Sequence, residues 1–573
     1  MNTQLIDSRR LTGANLFWEW PSAVIEASAD GPLEELVEAW GAAVMRWLDA
    51  VGHPDEQICH RLFDGGASLV ISAPIDALYS MCELNEVAWA SALHAIGLGP
   101  APDAAEEIPR LTRLFDEESN PRLLELQLEA RLRGLPLLWD DDEVSIGHGR
   151  TAQIWPAQSL PRLTEVDWEG LAAVPLALVT GTNGKSTTVR MAAAIMNAAG
   201  LNGGLTSTDF IRVGHRLIDS GDYSGPGGAR MLLRQPDVEM AVLEVARGGL
   251  LRRGLGVERA DVAVITNVAE DHLGEYGIHT VDDLIETKFI VRRALAAEDM
   301  LVLNADDPGV VRYGERLAIR TGWFSLDAEN PKIVEAGALG GSACCVEDGW
   351  LVAISGGRRR RVMKAEGVTA ARDGTVRHNL ANALAAMSIA VNLGIDDQYV
   401  RAGLAAFRGD ERDNPGRGNW FEHQLEGGVI RILVDFAHNE HGMKALADTV
   451  RRVGADRVVL LLGQAGDRTD REIAGLVRAA CDMNPERLLV AELPGYERGR
   501  QSFEVQRLIC SDALACGLDR TAIETFADPR SATQHALENA RPGDLLVLLA
   551  LTQRQEALDL VHGFIGDSGE GDG

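Results

Sequence analysis

The chain has 573 residues, 46% hydrophobic and 24% charged, which is typical of a globular protein and predicts about three or four domains. A formal net charge of −30 argues against binding to nucleic acid or to an anionic membrane, since both would repel it. The apolar runs are far shorter than the roughly 20 residues of a membrane helix, and the first residues lack the apolar stretch of a signal peptide. Seven cysteines without a CxxC motif favour reduced thiols in the cytoplasm.

The first predicted domain, residues 1–165, is a separate α+β unit without a pattern of catalytic residues. A proline suited to a first helical turn and leucines at every fourth position predict a helix over residues 121–133, with Leu124, Leu128 and Leu132 on one face.

Two segments of this domain resemble the ends of the N-terminal domain of cyanophycin synthetases. They are residues 8–18, SRRLTGANLFW, and residues 130–150, ARLRGLPLLWDDDEVSIGHGR. Within the second, the acidic run 140–143 is interpreted as a solvated turn, with a cation site as the alternative, and His148 as a loop residue. In that family an ATP-grasp domain follows, and then a Mur-ligase half. Here residues 156–174 are expected to be a short linker, and the ATP-grasp half is missing.

The second predicted domain, residues 166–412, begins near the sequence LALVTGTNGKSTT. Residues 176–179 indicate a buried strand, residues 180–184 a tight turn, and Lys185 the start of a helix. The N–H groups of such a loop suit a phosphate, the lysine adds a positive charge, and the hydroxyl of Ser186 can hold Mg²⁺. The predicted nucleotide-binding residues are Gly181, Thr182, Asn183, Gly184, Lys185, Ser186 and Thr187.

This loop departs from the general GxxxxGK[ST] pattern, because Val179 stands where the first glycine is expected. The form GTNGKST resembles the loop of the Mur ligase family, ATP-dependent amide ligases. The strands and helices that alternate after it predict an α/β domain with a mainly parallel sheet, whose ligands lie at the carboxyl ends of the strands. A Rossmann-like C-terminal domain is expected over residues 413–565.

Glu244 ends a predicted strand beside the phosphate loop, and His272 follows the next strand. Carboxylate oxygens suit Mg²⁺, and an imidazole can join a second metal or position a phosphoryl oxygen. Residues 243–274 resemble cyanophycin synthetase, which implies that Glu244 and His272, with Ser186, are metal ligands. Lys288 is on a helix expected over residues 281–295, and it matches the position where Mur ligases often carry a carbamylated lysine. The alternative that Lys288 is unmodified and contacts a phosphate is equally plausible.

Three further segments of the central domain have two interpretations each. The glycine-rich residues 221–230 form a loop that is flexible enough to approach a ligand, or a plain surface loop. The arginine run 358–361 indicates a solvated face, with an anion site as the alternative. The sequence HNLAN resembles the Mur-ligase helix that reaches the adenine, which implies nucleotide binding by Asn379 and Asn382; a helix cap is the other interpretation.

In the C-terminal domain, the sequences PGR and DxAHN resemble the Mur-ligase C-terminal domain. The resemblance implies that Arg417 approaches the phosphates, Asp435 the ribose, and His438 and Asn439 the phosphate or the substrate. A GDRxD segment adds Asp467 and Arg468 as substrate-side candidates. Residues 566–573, which contain glycine, serine and acidic residues alone, are predicted to be disordered.

Amide formation requires an activated carboxylate, because a carboxylate at neutral pH resists attack by an amine. ATP supplies a leaving group by phosphorylating the carboxylate, while Mg²⁺ and Lys185 spread the charge of the transferring phosphoryl group. The resemblance therefore implies an ATP- and Mg²⁺-dependent, ADP-forming ligase with Lys185, His272, Lys288 and His438 as catalytic candidates.

The likeness to cyanophycin synthetase, whose Mur half adds arginine to an aspartate side chain, favours a basic amine substrate. We expect small-molecule or peptide substrates, a homo-oligomer, and a separate ATP-grasp protein as a candidate partner. Two alternatives stay open: a non-catalytic nucleotide-binding subunit of such an ATP-grasp enzyme, and a P-loop ATPase that couples hydrolysis to motion.

Overall fold

The computed structural model describes residues 3–31 and 33–566. Its N-terminal part combines antiparallel strands with helices, which confirms the predicted α+β class. The elements are β1 (Thr3–Leu11), β2 (Ser22–Ala29), α1 (Leu33–Val51), β3 (Ile58–Phe63), β4 (Gly66–Ser72), α2 (Leu78–Ala95), α3 (Ala104–Glu118), α4 (Pro121–Leu132), β5 (Leu137–Trp139), β6 (Glu143–Ile146) and β7 (Gln153–Pro156). We call the sheet with the order β1-β2-β4-β3 the N-terminal sheet; β5, β6 and β7 form a smaller one.

Helix α4 forms where the sequence predicts it, but it buries a different face. Leu123, Leu126 and Ala130 point into the core, whereas the side chains of Leu128 and Leu132 are 61% and 74% exposed. The helix is apolar on two sides, and the small sheet covers the side that carries Leu126. The predicted helix is therefore confirmed, with Leu128 and Leu132 facing solvent and Leu124 packed partly against the core.

The acidic run 140–143 leads from β5 into β6 through a turn, and Asp141, Asp142 and Glu143 are exposed, as the solvated-turn interpretation expects. Asp140, in contrast, is half-buried and held by ion pairs. The Asp140 carboxylate pairs with Arg234 at 2.8 Å and with Arg230 at 3.2 Å, and Asp141 pairs with Arg10. Arg230 and Arg234 belong to the central domain, so this run joins the two domains by charge. His148 is a loop residue, as expected, but it is buried, and burial lowers its pKa to about 4.

The segment expected to be a linker contributes to a core. Leu160, Val166 and Leu171 are buried in one cluster with Leu126 of α4 and Ile146 of β6. This part of residues 156–174 is consequently packed onto the N-terminal part of the chain, and apolar side chains without a regular period are sufficient for that packing.

The central part is built around one large sheet in which most neighbouring strands are parallel, as the sequence predicts. Its elements are β8 (Leu176–Thr180), α5 (Lys185–Ala198), β9 (Gly203–Thr206), β10 (Phe210–Val213), β11 (Arg216–Ser220), α6 (Pro226–Leu233), β12 (Met240–Glu244), α7 (Arg247–Arg253), β13 (Val262–Ile265), α8 (Val281–Lys288), β14 (Met300–Asn304), α9 (Pro308–Gly314), β15 (Thr321–Ser325), α10 (Pro331–Leu339), β16 (Ser342–Glu347), β17 (Trp350–Ser355), β18 (Arg358–Lys364), α11 (Arg377–Asn392) and α12 (Asp397–Ala406). The strand order is β11-β10-β9-β12-β8-β13-β14-β15-β16-β17-β18.

Strand β8 lies between β12 and β13, both parallel to it. The chain leaves β8 through α5 toward one side of the sheet and later returns to add β13 on the other side, so a crevice opens at the carboxyl end of β8. The strands are buried on both faces: Val262 and Val264 of β13 face one core cluster, while Ala263 and Ile265 face another. This explains their continuous apolar sequence.

The arginine run 358–361 lies on β18, with its side chains exposed, which agrees with a solvated face. Arg359, Arg360 and Arg361 pair with carboxylates of neighbouring elements at 2.7–3.0 Å. Three of the four charges of this run are therefore paired within the molecule.

The C-terminal part is a second α/β unit, of the Rossmann-like kind that the sequence predicts, with the strand order β19-β20-β24-β21-β22-β23; all but the β19–β20 pair are parallel. Its elements are β19 (Asn419–Leu425), β20 (Gly428–Asp435), α13 (Glu440–Val453), β21 (Arg457–Leu462), α14 (Asp470–Cys481), β22 (Arg487–Ala491), α15 (Glu504–Ala515), β23 (Ile523–Phe526), α16 (Pro529–Glu538), β24 (Asp544–Leu549) and α17 (Arg554–Gly566). Of the tail predicted to be disordered, Gly566 ends α17, and residues 567–573 lie outside the described residues. Among residues 3–31 and 33–566, no helix has both the length and the apolar content needed to cross a bilayer.

Candidate functional site

The phosphate-type loop connects β8 to α5 and is tied to the neighbouring strand. Thr180 is the last residue of β8, so the turn starts one residue later than the sequence suggests. The N–H of Asn183 donates to Asn267 Oδ1 at 3.0 Å, and Thr266 Oγ1 donates to the Asn183 carbonyl at 2.7 Å. Lys185 Nζ donates to the Thr182 carbonyl at 3.0 Å. The loop is thereby held in shape by the end of β13.

Two glycines of this loop have no substitute that fits. Gly181 adopts φ +150°, and a Cβ there would lie 1.9 Å from Thr266 Oγ1. Gly184 adopts φ +85°, and its Cβ would lie 2.3 Å from Asn382 Oδ1. Positive φ together with such close neighbours requires glycine. Asn382, a predicted nucleotide-binding residue, therefore packs directly on the loop.

A group of carboxylate and hydroxyl oxygens that could bind a hard cation lies beside the start of α5. Glu244 ends β12 and is 2% exposed; its Oε2 accepts from the Thr208 N–H at 3.3 Å, whereas its Oε1 has no partner among the described residues. Thr208 Oγ1 lies 3.3 Å from Ser186 Oγ. An orphaned carboxylate oxygen next to hydroxyl groups fits Mg²⁺, which binds proteins through one or two carboxylates together with substrate phosphates. In the described chain, no three His, Cys, Asp or Glu side chains group to hold a metal by themselves.

His272 is directed toward the C-terminal part of the chain. Its Nε2 lies 3.0 Å from an Arg468 nitrogen and its Nδ1 lies 3.8 Å from Asp467 Oδ2. Burial lowers the pKa of His272, and Arg468 and Arg247 act in the same direction, so the ring is neutral at neutral pH. The contacts with Asp467 and Arg468 bring both of these candidates to the same place as His272.

Next to His272, Asp271 forms the centre of a charged group. Its carboxylate lies 2.8 Å from Arg468 and 4.0 Å from His438 Nε2. Burial alone would raise the pKa of Asp271, but His438 and Arg468 outweigh it and set the pKa at about 2. This aspartate therefore stays ionised and fixes the positions of a histidine and an arginine from the C-terminal domain.

Lys288 is the last residue of α8; the chain continues as a 3₁₀ segment, Phe289–Ala294, so the predicted longer helix is divided here. Its Nζ is buried and donates to the Gly181 carbonyl at 2.8 Å. Burial lowers its pKa well below the ordinary value, and the nearby Lys185 adds to the effect. The hydrogen bond from Lys288 thus ties α8 to the phosphate loop.

Arg417 reaches from the C-terminal domain to the loop after β9. It donates to Thr208 Oγ1 at 3.0 Å and pairs with Asp209 at 3.4 Å, while its Nε is buried and finds no acceptor in the described chain. Asp209 also pairs with the buried Arg190, and with Arg554 at 2.9 Å. We call these four residues the Asp209 cluster. Asp209 and Arg554 belong to no motif, so sequence reasoning misses them.

The DxAHN segment follows β20 and faces the phosphate loop. Asn439 caps α13 by accepting from the Gly442 N–H at 2.9 Å, and it exchanges amide hydrogen bonds with Asn183 at 3.1 and 3.3 Å. His438 Nδ1 lies 2.9 Å from the Phe436 carbonyl, and burial lowers the pKa of this histidine. Desolvation raises the pKa of Asp435 to about 6.

The HNxxN segment forms the first turn of α11. Asn379 Nδ2 donates to the Ala370 carbonyl at 2.9 Å, and Asn382 Nδ2 donates to Asn379 Oδ1 at 3.2 Å. Neither side chain caps the helix, which removes the interpretation as a simple cap. Burial lowers the pKa of the adjacent His378 to about 4, and its Nδ1 has no partner in the described residues.

Most of these groups line one cleft of about 1020 Å³ between the central and C-terminal domains. Its wall includes the predicted metal-binding and catalytic residues, the residues of the phosphate loop, Asn379, Asn382, Arg417, Asp435 and Asp467, whereas the candidates Asn439 and Arg468 adjoin the wall residues His438 and Asp467. Their shared location is a finding, whereas their individual roles remain predictions.

The cleft extends from the phosphate loop to a second end that the sequence indicates only in part. Residues 222–228 line it, although the predicted flexible loop becomes helical at Pro226, the first residue of α6. Arg247, Arg252 and Arg253 of α7 line the same end. Sequence reasoning overlooks these arginines, because no motif separates them from ordinary surface residues.

Comparison with known families supports the same two domains. Residues 179–390 match the model of the Mur ligase middle domain, and residues 416–550 match that of the Mur ligase, glutamate ligase domain.

The chain is 33% identical to the cyanophycin synthetase of Geminocystis herdmanii over 73% of its own length and 48% of that protein. It is 29% identical to UDP-N-acetylmuramoyl-L-alanyl-D-glutamate--2,6-diaminopimelate ligase of Geobacter metallireducens, over 65% of this chain and 73% of that one. The chain spans about half the length of the cyanophycin synthetases that it matches. The solved structure of E. coli FolC in complex with DHPP and ADP superimposes with a TM-score of 0.50 at 19% identity, over 68% of this chain and 89% of that one, which indicates a common fold.

The raised pKa of Asp435 gives the first testable prediction. As the pH falls through about 6, this carboxylate gains a proton and loses the negative charge that would strengthen a hydrogen bond from a ribose hydroxyl. We expect the affinity of the wild-type protein for ADP to fall about five- to tenfold more than that of Asp435→Asn between about pH 7 and pH 5, measured by isothermal titration calorimetry. The exposed variant Asp219→Asn is the control and should behave as the wild type. Equal pH profiles for the wild type and Asp435→Asn would contradict the assignment.

Proposed function

The chain belongs to the Mur ligase family through its central and C-terminal domains, and from this we propose that it is an ATP-dependent ligase that joins a carboxylate to an amine. The observation that carries the proposal is the convergence of Lys185, the orphaned oxygen of Glu244 and the unpartnered Nε of Arg417 in one cleft. Two of these groups come from the central domain and one from the C-terminal domain, so a triphosphate between them would be held from both sides.

The nucleotide is proposed to lie across the domain boundary. Asn379 and Asn382 are at the base end, the loop N–H groups and Lys185 at the phosphates, and Asp435 at the ribose. The phosphate loop begins α5, so backbone donors and the helix dipole favour a negative charge at this point. Arg417 supplies the positive charge from the opposite wall.

Mg²⁺ would be held by Ser186 and Glu244, with His272 as a further candidate ligand. When bound, it would neutralise charge on the phosphates. Glu244 meets this role because its buried carboxylate has a free oxygen, and burial of an unpaired carboxylate is costly without a cation.

The reaction proposed for this cleft has two steps. A carboxylate oxygen of the first substrate attacks the γ-phosphorus of ATP, and ADP leaves. The amine then attacks the acyl phosphate, phosphate leaves with the carboxylate oxygen, and the amine loses a proton. Closure of the two domains orders the reactants and keeps water away from the acyl phosphate.

The second end of the cleft supports a carboxylate-bearing substrate. Arg247, Arg252 and Arg253 of α7 line this end of the cleft together with the glycine-rich residues 222–228. Arg247 is paired with Glu275, so the charges of Arg252 and Arg253 are the more available ones. Arginine is well suited to bind carboxylates because its guanidinium group can donate two parallel hydrogen bonds. The amine would approach past Asp467, whose negative charge is compatible with a basic amine such as arginine, lysine or ornithine.

The test of this proposal measures ADP and amide product in the same reaction. We expect the wild-type protein with Mg²⁺, ATP and poly-aspartate to release ADP when arginine, lysine or ornithine is added, with a product detected by mass spectrometry. Lys185→Met should lower turnover by about two to three orders of magnitude, because the cation that offsets the charge of the phosphates in the cleft is lost. Lys444→Met, which removes an exposed lysine paired with Glu440, should leave the rate unchanged.

Two outcomes would contradict the ligase. ATP turnover that is independent of amine would favour a P-loop ATPase. ATP binding without ADP release, on any pair of carboxylate and amine substrates, would favour a non-catalytic partner of a separate ATP-grasp enzyme.

The state of Lys288 gives a separate prediction. Burial lowers the pKa of its amine well below the ordinary value, which favours the neutral form, and this is the form that reacts with CO₂. In ¹³C-bicarbonate we expect a carbamate resonance by NMR in the wild type and in Lys444→Met, and its loss in Lys288→Met. If the wild type shows no such resonance at any bicarbonate concentration, Lys288 acts as an unmodified contact of the phosphate loop.

A further inference from the structure

The N-terminal sheet contacts helices α7 and α8 at the ends that lie away from the cleft. The opposite ends of these two helices carry Arg247 and Lys288, which line the cleft. We define the cleft loop as residues 271–279, which follow β13 and contain Asp271 and His272. The strands β1 and β3 contact this loop, the end of α7 and the start of α8. None of these contacts involves a residue of the predicted nucleotide site.

Arg61 of β3 contacts both the cleft loop and α8. It donates to the Gly277 carbonyl at 2.6 Å and forms an ion pair with Asp283. Asp283 and Thr280 form the capping box that starts α8, and the last residue of this helix is Lys288. One guanidinium group thus connects the N-terminal sheet to the helix that carries Lys288 into the cleft.

Arg9 of β1 makes an equivalent connection to α7. Its Nε donates to the Leu251 carbonyl at 2.9 Å, and its guanidinium lies 4.7 Å from the centre of the Tyr276 ring. A second nitrogen of Arg9 pairs with the buried Glu26 at 2.8 Å, which anchors the arginine in the N-terminal sheet. The other end of α7 carries Arg247, which donates to the His272 carbonyl at 2.6 Å.

The cleft loop has a backbone that needs external support. His272 and Tyr276 adopt φ +51° and +54°, in the left-handed region that side chains other than glycine rarely occupy. Conformations of this kind cost free energy and persist where the surroundings hold them. Arg61, Arg9 and Arg247 are among the residues that hold this loop on its outer side, together with Arg252, which donates to the Tyr276 hydroxyl, and Phe63, which stacks on His279.

We propose that the N-terminal sheet sets the geometry of the cleft, with Arg61 and Arg9 as positioning residues that hold the cleft loop so that Asp271 and His272 face the C-terminal domain. The N-terminal domain is then part of the working enzyme and more than a docking surface. Two measurements test this proposal. The ligase assay rests on the proposed function, whereas hydrogen–deuterium exchange does not depend on it.

The experiment compares Arg61→Met with Arg110→Met in the full chain. Arg110 is also half-buried, and its ion-pair partners in the described part of the chain, Glu83 and Glu107, both belong to the N-terminal domain. By hydrogen–deuterium exchange on the nucleotide-free protein, we expect residues 271–279 to exchange at least about tenfold faster in Arg61→Met, and at the wild-type rate in Arg110→Met. Arg61→Lys, which keeps a positive charge near Asp283, should restore part of the protection.

In the ligase assay, Arg61→Met should lower kcat about tenfold with little change in the KM for ATP, because the phosphate loop itself is untouched. A general loss of stability would instead affect both variants alike, which thermal melting detects. Wild-type exchange of residues 271–279 in folded Arg61→Met would overturn the proposal. If the wild type shows no ligase activity while the exchange result holds, the proposed function fails and this inference stands.

Discussion

One carboxylate, Asp209, holds guanidinium groups from two domains over the phosphate loop. Arg190 approaches it from α5, and Arg417 and Arg554 approach it from the C-terminal domain. Burial alone would raise the pKa of Asp209, but these three arginines outweigh it and set the pKa at about 2, so the group stays ionised. Breaking one partner from a buried ion pair of this kind costs about 3–5 kcal/mol.

The Asp209 cluster has more positive than negative charge. This excess of positive charge suits its location beside the phosphate loop. Three guanidinium groups share one carboxylate, and the Nε atoms of Arg190 and Arg417 have no acceptor among residues 3–31 and 33–566. A polyanion that enters from the phosphate loop would complete the balance. The same interaction therefore closes the two domains and prepares the site for a triphosphate, which agrees with a ligase that excludes water during acyl transfer.

Sequence reasoning succeeds where the structure depends on near neighbours. The stretch LALVTGTNGKSTT predicts strand, loop and helix correctly because apolar residues, glycines and a helix start follow one another directly. It fails at the Asp209 cluster, since Arg417 and Arg554 lie 208 and 345 residues away and no spacing links them. It predicts the helix α4 correctly but does not say which of its two apolar sides is buried, because the small sheet that covers one of them comes later in the chain.

The N-terminal domain shows the same limit. Its sequence contains no catalytic pattern, yet Arg9 and Arg61 reach the helices that carry Arg247 and Lys288 to the cleft. The acidic run 140–143, which by itself indicates a solvated turn, joins the same two domains through Arg234. The partner of a charged side chain at a domain boundary depends on the three-dimensional fold. A single sequence therefore does not reveal which residues will form these ion pairs.

The most direct test of the whole account follows the oxygen of the substrate carboxylate. Poly-aspartate labelled with ¹⁸O in its side-chain carboxylates is incubated with the protein, Mg²⁺, ATP and a basic amine, and the released phosphate is analysed by mass spectrometry. The account predicts one ¹⁸O in the phosphate for each amide formed, since the carboxylate oxygen leaves with the phosphoryl group. Phosphate without label, released together with ADP, would show that ATP is hydrolysed by water and would contradict a cleft that couples two substrates.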